Sequence, residues 1–204
     1  MNRKLLITTL VAGLTLVAMS TVYAQPGSSQ VEPSYDVELQ LVIGSNDAAQ
    51  KGDMPTNLGN VSKQIRSAMP FSNYRLASTF LGRLVSNGNF EYTSLSNIFG
   101  QEVDLRSQTF LDWGLMQIKN LPTAKGGQGF QAQSFRFGAK VPVVTGTAKD
   151  ENGKVTTVTN FENIGLKLGK VALPENTPTL IGTLNLPGAN GTIFLVMTVR
   201  SVDM

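Results

Sequence analysis

Thr179-Leu180-Ile181-Gly182-Thr183-Leu184-Asn185 and Thr192-Ile193-Phe194-Leu195-Val196-Met197-Thr198-Val199-Arg200 decide the fold, with Pro187-Gly188-Ala189-Asn190-Gly191 falling between them. The second run is apolar or β-branched at nearly every position and too short for a helix with a polar stripe. It reads as a strand buried on both faces. Proline, asparagine and two glycines supply the fixed and positive φ angles of a chain reversal. Two apolar runs meeting at such a turn are expected to pair antiparallel, because pairing lets their backbone groups be buried without loss. This hairpin is expected at the centre of the core.

Working outward, Asp36 to Ile43 alternates cleanly. Val37, Leu39, Leu41 and Ile43 share one face, and Asp36, Glu38 and Gln40 the other, the pattern of a half-buried strand. One window has helical spacing. Leu58, Val61, Ile65 and Met69 recur at threes and fours, Thr56 or Asn57 stands where a cap belongs, and Pro70 ends the run. From Tyr74 the period returns to two. Ser86-Asn87-Gly88-Asn89 then separates this run from Phe90-Glu91-Tyr92-Thr93, which predicts a tight hairpin, since both central residues tolerate positive φ.

Further strands are expected around Val103, over Thr109–Ile118, and from Phe130 past Pro142 to Val144. Val155–Thr159 and Ile164–Val171 complete the set, with turns at Ala124–Gly129 and Asp150–Gly153. Eight to ten strands and one helix, punctuated by frequent turns, predict a mainly β chain. The expected architecture is an antiparallel β-sandwich or half-barrel with one amphipathic helix packed on a sheet.

The amino terminus reads as an address. Asn2-Arg3-Lys4 is basic, Leu5 to about Val17 is apolar, and Val22-Tyr23-Ala24 fits a cleavage site. The expected organisation is a signal peptide over 1–24, a flexible lead-in over 25–35 and a single β-rich domain over 36–204. The apolar run falls short of the ~20 residues that span a bilayer, so cleavage after Ala24 and a periplasmic or extracellular location are expected. The whole chain has 17 Lys+Arg and 14 Asp+Glu. Losing Arg3 and Lys4 leaves 15 against 14, a net charge of +1, with no clustered basic face for nucleic acid.

Cysteine and histidine are both absent. That excludes disulfides, thiolate nucleophiles and zinc–thiolate sites, and removes the commonest general base. An exported chain without disulfides fits a bacterial envelope.

Several motifs have plainer readings. Gly126-Gly127-Gln128 matches the tripeptide of peptide-release factors, but a glycine turn accounts for it. Asp150-Glu151-Asn152-Gly153 has calcium-loop flavour, yet Lys154 stands where an oxygen ligand belongs and the glycine comes early. Asn60-Val61-Ser62 and Asn190-Gly191-Thr192 are glycosylation sequons by rule only. Glu91, Glu102, Asp104 and Asp112 are the carboxylates from which a glycoside-cleaving pair could be drawn. No nucleophile elbow, phosphate loop or dinucleotide fingerprint is present. No catalytic, cofactor or metal residue is therefore assigned.

Phe137-Gly138-Ala139-Lys140-Val141-Pro142-Val143-Val144, then Asn163-Ile164-Gly165-Leu166-Lys167-Leu168, then Leu180-Ile181-Gly182-Thr183-Leu184, precede an apolar last strand. This order resembles the β-domain of bacterial secretins, the outer-membrane channels of secretion and pilus systems. It covers about 135–199 and implies an envelope context and a β-fold; it transfers no functional residue. The mature pattern is also similar to uncharacterised exported bacterial β-proteins.

Three functions follow as expectations. The first is an exported non-catalytic β-domain that binds or assembles in the envelope, with another envelope protein or its own copies as partner. The second is a secretin-like or accessory component of a secretion or pilus machine. The third is a carboxylate-based hydrolase.

Overall fold

The computed structural model describes residues 32–47, 52–96, 108–122, 127–149, 151, 153–187 and 191–202. The signal segment, most of the lead-in and the expected strand at Val103 lie outside the described residues. So do Glu102, Asp104 and the centres of the Ala124–Gly129, Asp150–Gly153 and Pro187–Gly191 turns. One compact unit spans Glu32–Met204.

Among the described residues there are eight strands, β1 (Ser34–Ser45), β2 (Asn73–Val85), β3 (Asn89–Ser96), β4 (Thr109–Asn120), β5 (Gly129–Lys149), β6 (Val155–Pro174), β7 (Thr179–Asn185) and β8 (Gly191–Val202), with helix α1 (Asn60–Ala68) between β1 and β2. They form two four-stranded sheets. Sheet A has the order β2-β1-β8-β7 and sheet B the order β3-β4-β5-β6. Every ladder within them is antiparallel. The described residues form a sandwich with a single α-helix, as the alternation predicts. β1 begins two residues ahead of the expected start, and Tyr35 within it is buried, its hydroxyl donating to Asn120 Oδ1 at 3.0 Å.

Between the sheets, Val37, Leu39, Leu41 and Ile43 of β1 and Ile193, Leu195, Met197 and Val199 of β8 meet Leu111, Trp113 and Leu115 of β4 and Phe135 and Phe137 of β5. The rings of Phe90 and Trp113 pack at a tilt with centroids 4.7 Å apart, and those of Phe80 and Tyr92 at 5.0 Å. A second cluster forms outside sheet A. There Leu58, Val61 and Ile65 cover Val42, Tyr74, Phe194 and Val196. The helix thus explains why β8 is apolar on both faces: one face packs against sheet B and the other against α1. It also corrects the reading of β1 as half-buried, because Gln40 and Val42 are buried on its outer face.

Three further expectations change. β8 lies inside its sheet, but β7 is an edge strand, half-buried and bulged between Leu180 and Gly182. The helix is capped by Gly59 at φ 51°, with no side-chain cap bond. Thr56–Leu58 forms a separate turn of 3-10 helix, so Thr56 and Asn57 come too early to cap. Asn57 instead accepts a hydrogen bond from Gln40 at 3.5 Å.

The Asn87-Gly88 turn does not close a hairpin: β2 pairs with β1 and β3 with β4. Asn87 adopts φ 59° and Gly88 N–H donates to Val85 O at 2.9 Å. The flanking N–H groups reach past each other, Ser86 to Pro33 O and Asn87 to Ile118 O. The turn therefore carries the chain from one sheet to the other, and Phe80 and Phe90 can both point into the core.

Candidate interaction surface

β4 and β5 place alternate residues on the outer face of sheet B. Thr109, Leu111, Trp113 and Leu115 point in, so Phe110, Asp112, Gly114 and Met116 point out. The cross-strand register then builds rows on that face. The first is Glu91–Gly114–Arg136–Lys167, the next Thr93–Asp112–Gly138–Gly165, and the next Leu95–Phe110–Lys140–Asn163. Beyond the start of β4, Pro142 faces Phe161 and Val144 faces Thr159.

The first two rows are charged. Arg136 holds both Asp112 and Glu91, the latter at 3.1 Å, on an open face. Bare backbone makes this possible. A Cβ on Gly138 would stand 2.6 Å from Asp112 Oδ1, and one on Gly114 would stand 3.1 Å from Arg136 Nε. The structure thus brings together two of the four candidate carboxylates, Glu91 and Asp112, but as partners of one guanidinium. They do not face each other across a cleft. Among the described residues no group of three or more acidic side chains gathers as a metal site.

The next rows add large apolar side chains beside Lys140 and Asn163. Leu95, Phe110, Val144 and Phe161 are 55%, 47%, 54% and 45% exposed. Phe110 and Phe161 touch edge to face, with centroids 6.0 Å apart. Pro142 lies beyond the first residues of β4, past the last β4–β5 pair at Phe110 and Lys140, so its missing N–H breaks no ladder on that side. Past it, Thr145–Lys149 and Val155–Thr159 continue as a two-stranded ribbon. Its residues are exposed except for the half-buried Thr159. The ribbon is rich in threonine and valine. Sequence periodicity missed this patch. The available signal was parity: Phe110 sits one residue from Leu111 and two from Asp112, so it shares the acid's face and not the core's.

Sheet A has its own polar ground beside α1. Its outer rows read Arg83–Asp36–Arg200 and Leu81–Glu38–Thr198. Arg83 grips Asp36 through two bonds of 2.6 and 3.1 Å, and Arg200 reaches Glu38 at 3.3 Å and Asn176 at 3.0 Å. Asp36, Glu38, Leu81, Arg83, Thr198 and Arg200 line a concavity of about 400 Å³. The hydrogen bond from Arg83 holds the Asp36 carboxyl below its ordinary value of 3.8, and the same bond raises Arg83. Burial lowers Arg75 at the foot of β2. Among the described residues no helix is long and apolar enough to cross a membrane.

No family model matches the chain, and no curated protein matches it. Solved structures do show weak likeness. The outer-membrane complex of the Klebsiella pneumoniae type II secretion system, with PulD, PulS and the PulC HR domain, aligns over 98% of this chain and 43% of that one. The identity is 11% and the TM-score 0.38. The InvG secretin-domain β-barrel from the Salmonella SPI-1 injectisome covers 85% of this chain and 64% of its own, at 10% identity and a TM-score of 0.34. InvG in its open-gate state aligns over 97% of this chain and 66% of that one, at 10% identity and a TM-score of 0.32. The chain thus spans less than two thirds of the length of these structures. The likeness is a weak resemblance to secretin-type β-domains.

Proposed function

We propose that this chain is an exported bacterial envelope protein whose β-domain works by binding or assembly and makes no covalent change in its partner. The observation that carries the reading is the apolar ground of Leu95, Phe110, Val144 and Phe161 at the root of an uncovered β-ribbon. An isolated two-stranded ribbon is marginal in water, and clustered exposed apolar side chains mark interaction sites. Glu91 and Asp112 support the non-catalytic side of the reading, since both are tied to Arg136 on an open face. The signal-like first 24 residues support export, with the mature chain beginning at Gln25.

A photocrosslinker at Lys140, which stands between Phe110 and Asn163, is the test. It is expected to capture an envelope protein or a second copy in cells. The double substitution Phe110→Glu with Phe161→Glu should abolish that adduct and leave the fold intact. Adducts that survive the double substitution, or purified protein that turns over glycosides, would overturn the reading.

A second reading makes the chain a component of a secretion or pilus machine. It is supported by the three motif segments 137–144, 163–168 and 180–184, which fall on the successive strands β5, β6 and β7. The same crosslinking experiment addresses it: neighbours that include no such component would count against it.

A further inference from the structure

The four sheet edges are not equally guarded. β7 has only seven residues, is bulged, and follows Pro178. β6 carries Lys167 and Lys170, the latter left-handed at φ 55°, and ends at Pro174. β3 has eight residues and a carboxylate, Glu91, at its third position. Bulges, prolines, charges and shortness are the usual protections of an edge.

β2 has few of these protections. Its first residues are covered, since Gly52 lies against Arg75 so closely that a Cβ there would meet Arg75 Cβ at 2.5 Å. The bulge opposite Leu41 and Val42 is confined to Ala77. From Ser78 to Val85 the strand runs straight, without proline, and its one charge, Arg83, is neutralised by Asp36. Among the described residues no strand pairs with this edge. In its middle stands Leu81, 73% exposed, the most exposed large apolar side chain of the described residues.

We infer that β2 pairs antiparallel with β2 of a second copy, about a twofold axis at Leu81. This deepens the proposed assembly function by naming one partner. The pattern is self-complementary in that register. Leu81 meets Leu81, Thr79 meets Arg83, Phe80 meets Gly82 and Ser78 meets Leu84. Outward residues face outward ones and inward residues inward ones, as an antiparallel ladder requires. The two copies of Arg83 lie four residues apart along the strand, about 13 Å, and each keeps its own aspartate. No like charges are set opposite, and the exposed leucine is covered by its own copy. A twofold contact uses one patch twice and closes on itself.

The chain has no cysteine, so one substitution makes a clean probe. Directly opposed residues of an antiparallel pair have Cα atoms about 4.5–5.5 Å apart, inside the range a disulfide spans. Leu81→Cys is expected to give a covalent dimer on mild oxidation, and Lys63→Cys, exposed on α1 and outside both surfaces, is not. The wild-type protein should sediment as a dimer and Leu81→Lys, at so exposed a position, as a folded monomer. A wild-type monomer at all concentrations, or a dimer that persists in Leu81→Lys, would overturn the inference. So would equal crosslinking of the two cysteine variants. Leu81→Lys should leave capture through the Phe110–Phe161 ground unchanged, so loss of one contact is told apart from loss of the other.

Discussion

Ile65→Ala should test whether α1 is part of the fold or an ornament on it. Ile65 is fully buried in the second cluster, with Val61 and Leu58 on its own side and Val42, Phe194 and Val196 beneath. The ring pairs Phe71–Phe194 and Tyr74–Phe194, each with centroids 6.3 Å apart, limit collapse around any gap. The substitution removes three carbon atoms, a transfer loss of roughly 2.4 kcal/mol at about 0.8 kcal/mol each. An unrelaxed cavity brings the total to about 3–4 kcal/mol, within the usual range for such truncations. For a domain of this size each kcal/mol lowers Tm by about 2–4 °C, so a fall of roughly 6–16 °C is expected. Thermal and urea unfolding followed by far-UV circular dichroism would measure it. Gln64→Ala, one residue away on the exposed side, is the control and should stay within about 0.5 kcal/mol. If Ile65→Ala were no worse than Gln64→Ala, the helix would not be sealing sheet A. The explanation offered for the two-sided burial of β8 would then fail with it.

Other outcomes follow from the charged rows. Arg83 lowers the Asp36 pKa below 3.8, so the pair contributes stability above that pH, and the contribution is lost as pH falls through the folded-state value. Asp36→Asn should remove this acid-side dependence in urea titrations below about pH 4. The effect should be small and should shrink in salt, since both side chains are largely exposed. Gly138→Val should displace Asp112 from Arg136, because even a Cβ there would sit 2.6 Å from its Oδ1. A structure of the variant would show the broken contact. The stability loss should be at most about 1 kcal/mol, as expected for an exposed pair. Amino-terminal sequencing of protein recovered from the envelope should read from Gln25; a chain that retains Leu5–Val17 would refute cleavage after Ala24.

Much of this architecture was legible residue by residue. Val37, Leu39, Leu41 and Ile43 announce their strand because side chains alternate across a sheet, and Leu58, Val61 and Ile65 announce a helix because four residues make about one turn. Ile193–Val199 announce a strand covered twice. The Asn87-Gly88 pair was legible as a turn but not as a crossing between sheets, since a dipeptide sets local φ and not which strand its neighbours bond. Glu91 and Asp112 were legible as acids, yet only their register against Arg136 shows them sharing one guanidinium. Phe110 and Phe161 lie 51 positions apart, and no local pattern could bring them together.

The chain alone determined the alternation of apolar residues, the reversal at Asn87-Gly88, and the chemistry ruled out by having neither imidazole nor thiol. These are properties of a residue and its near neighbours. Tertiary structure decided which strands became edges, which face of β8 the helix covers, and which apolar side chains stayed in water. Those outcomes depend on hydrogen bonds and contacts between segments far apart in sequence, and exist only once the two sheets have closed on each other.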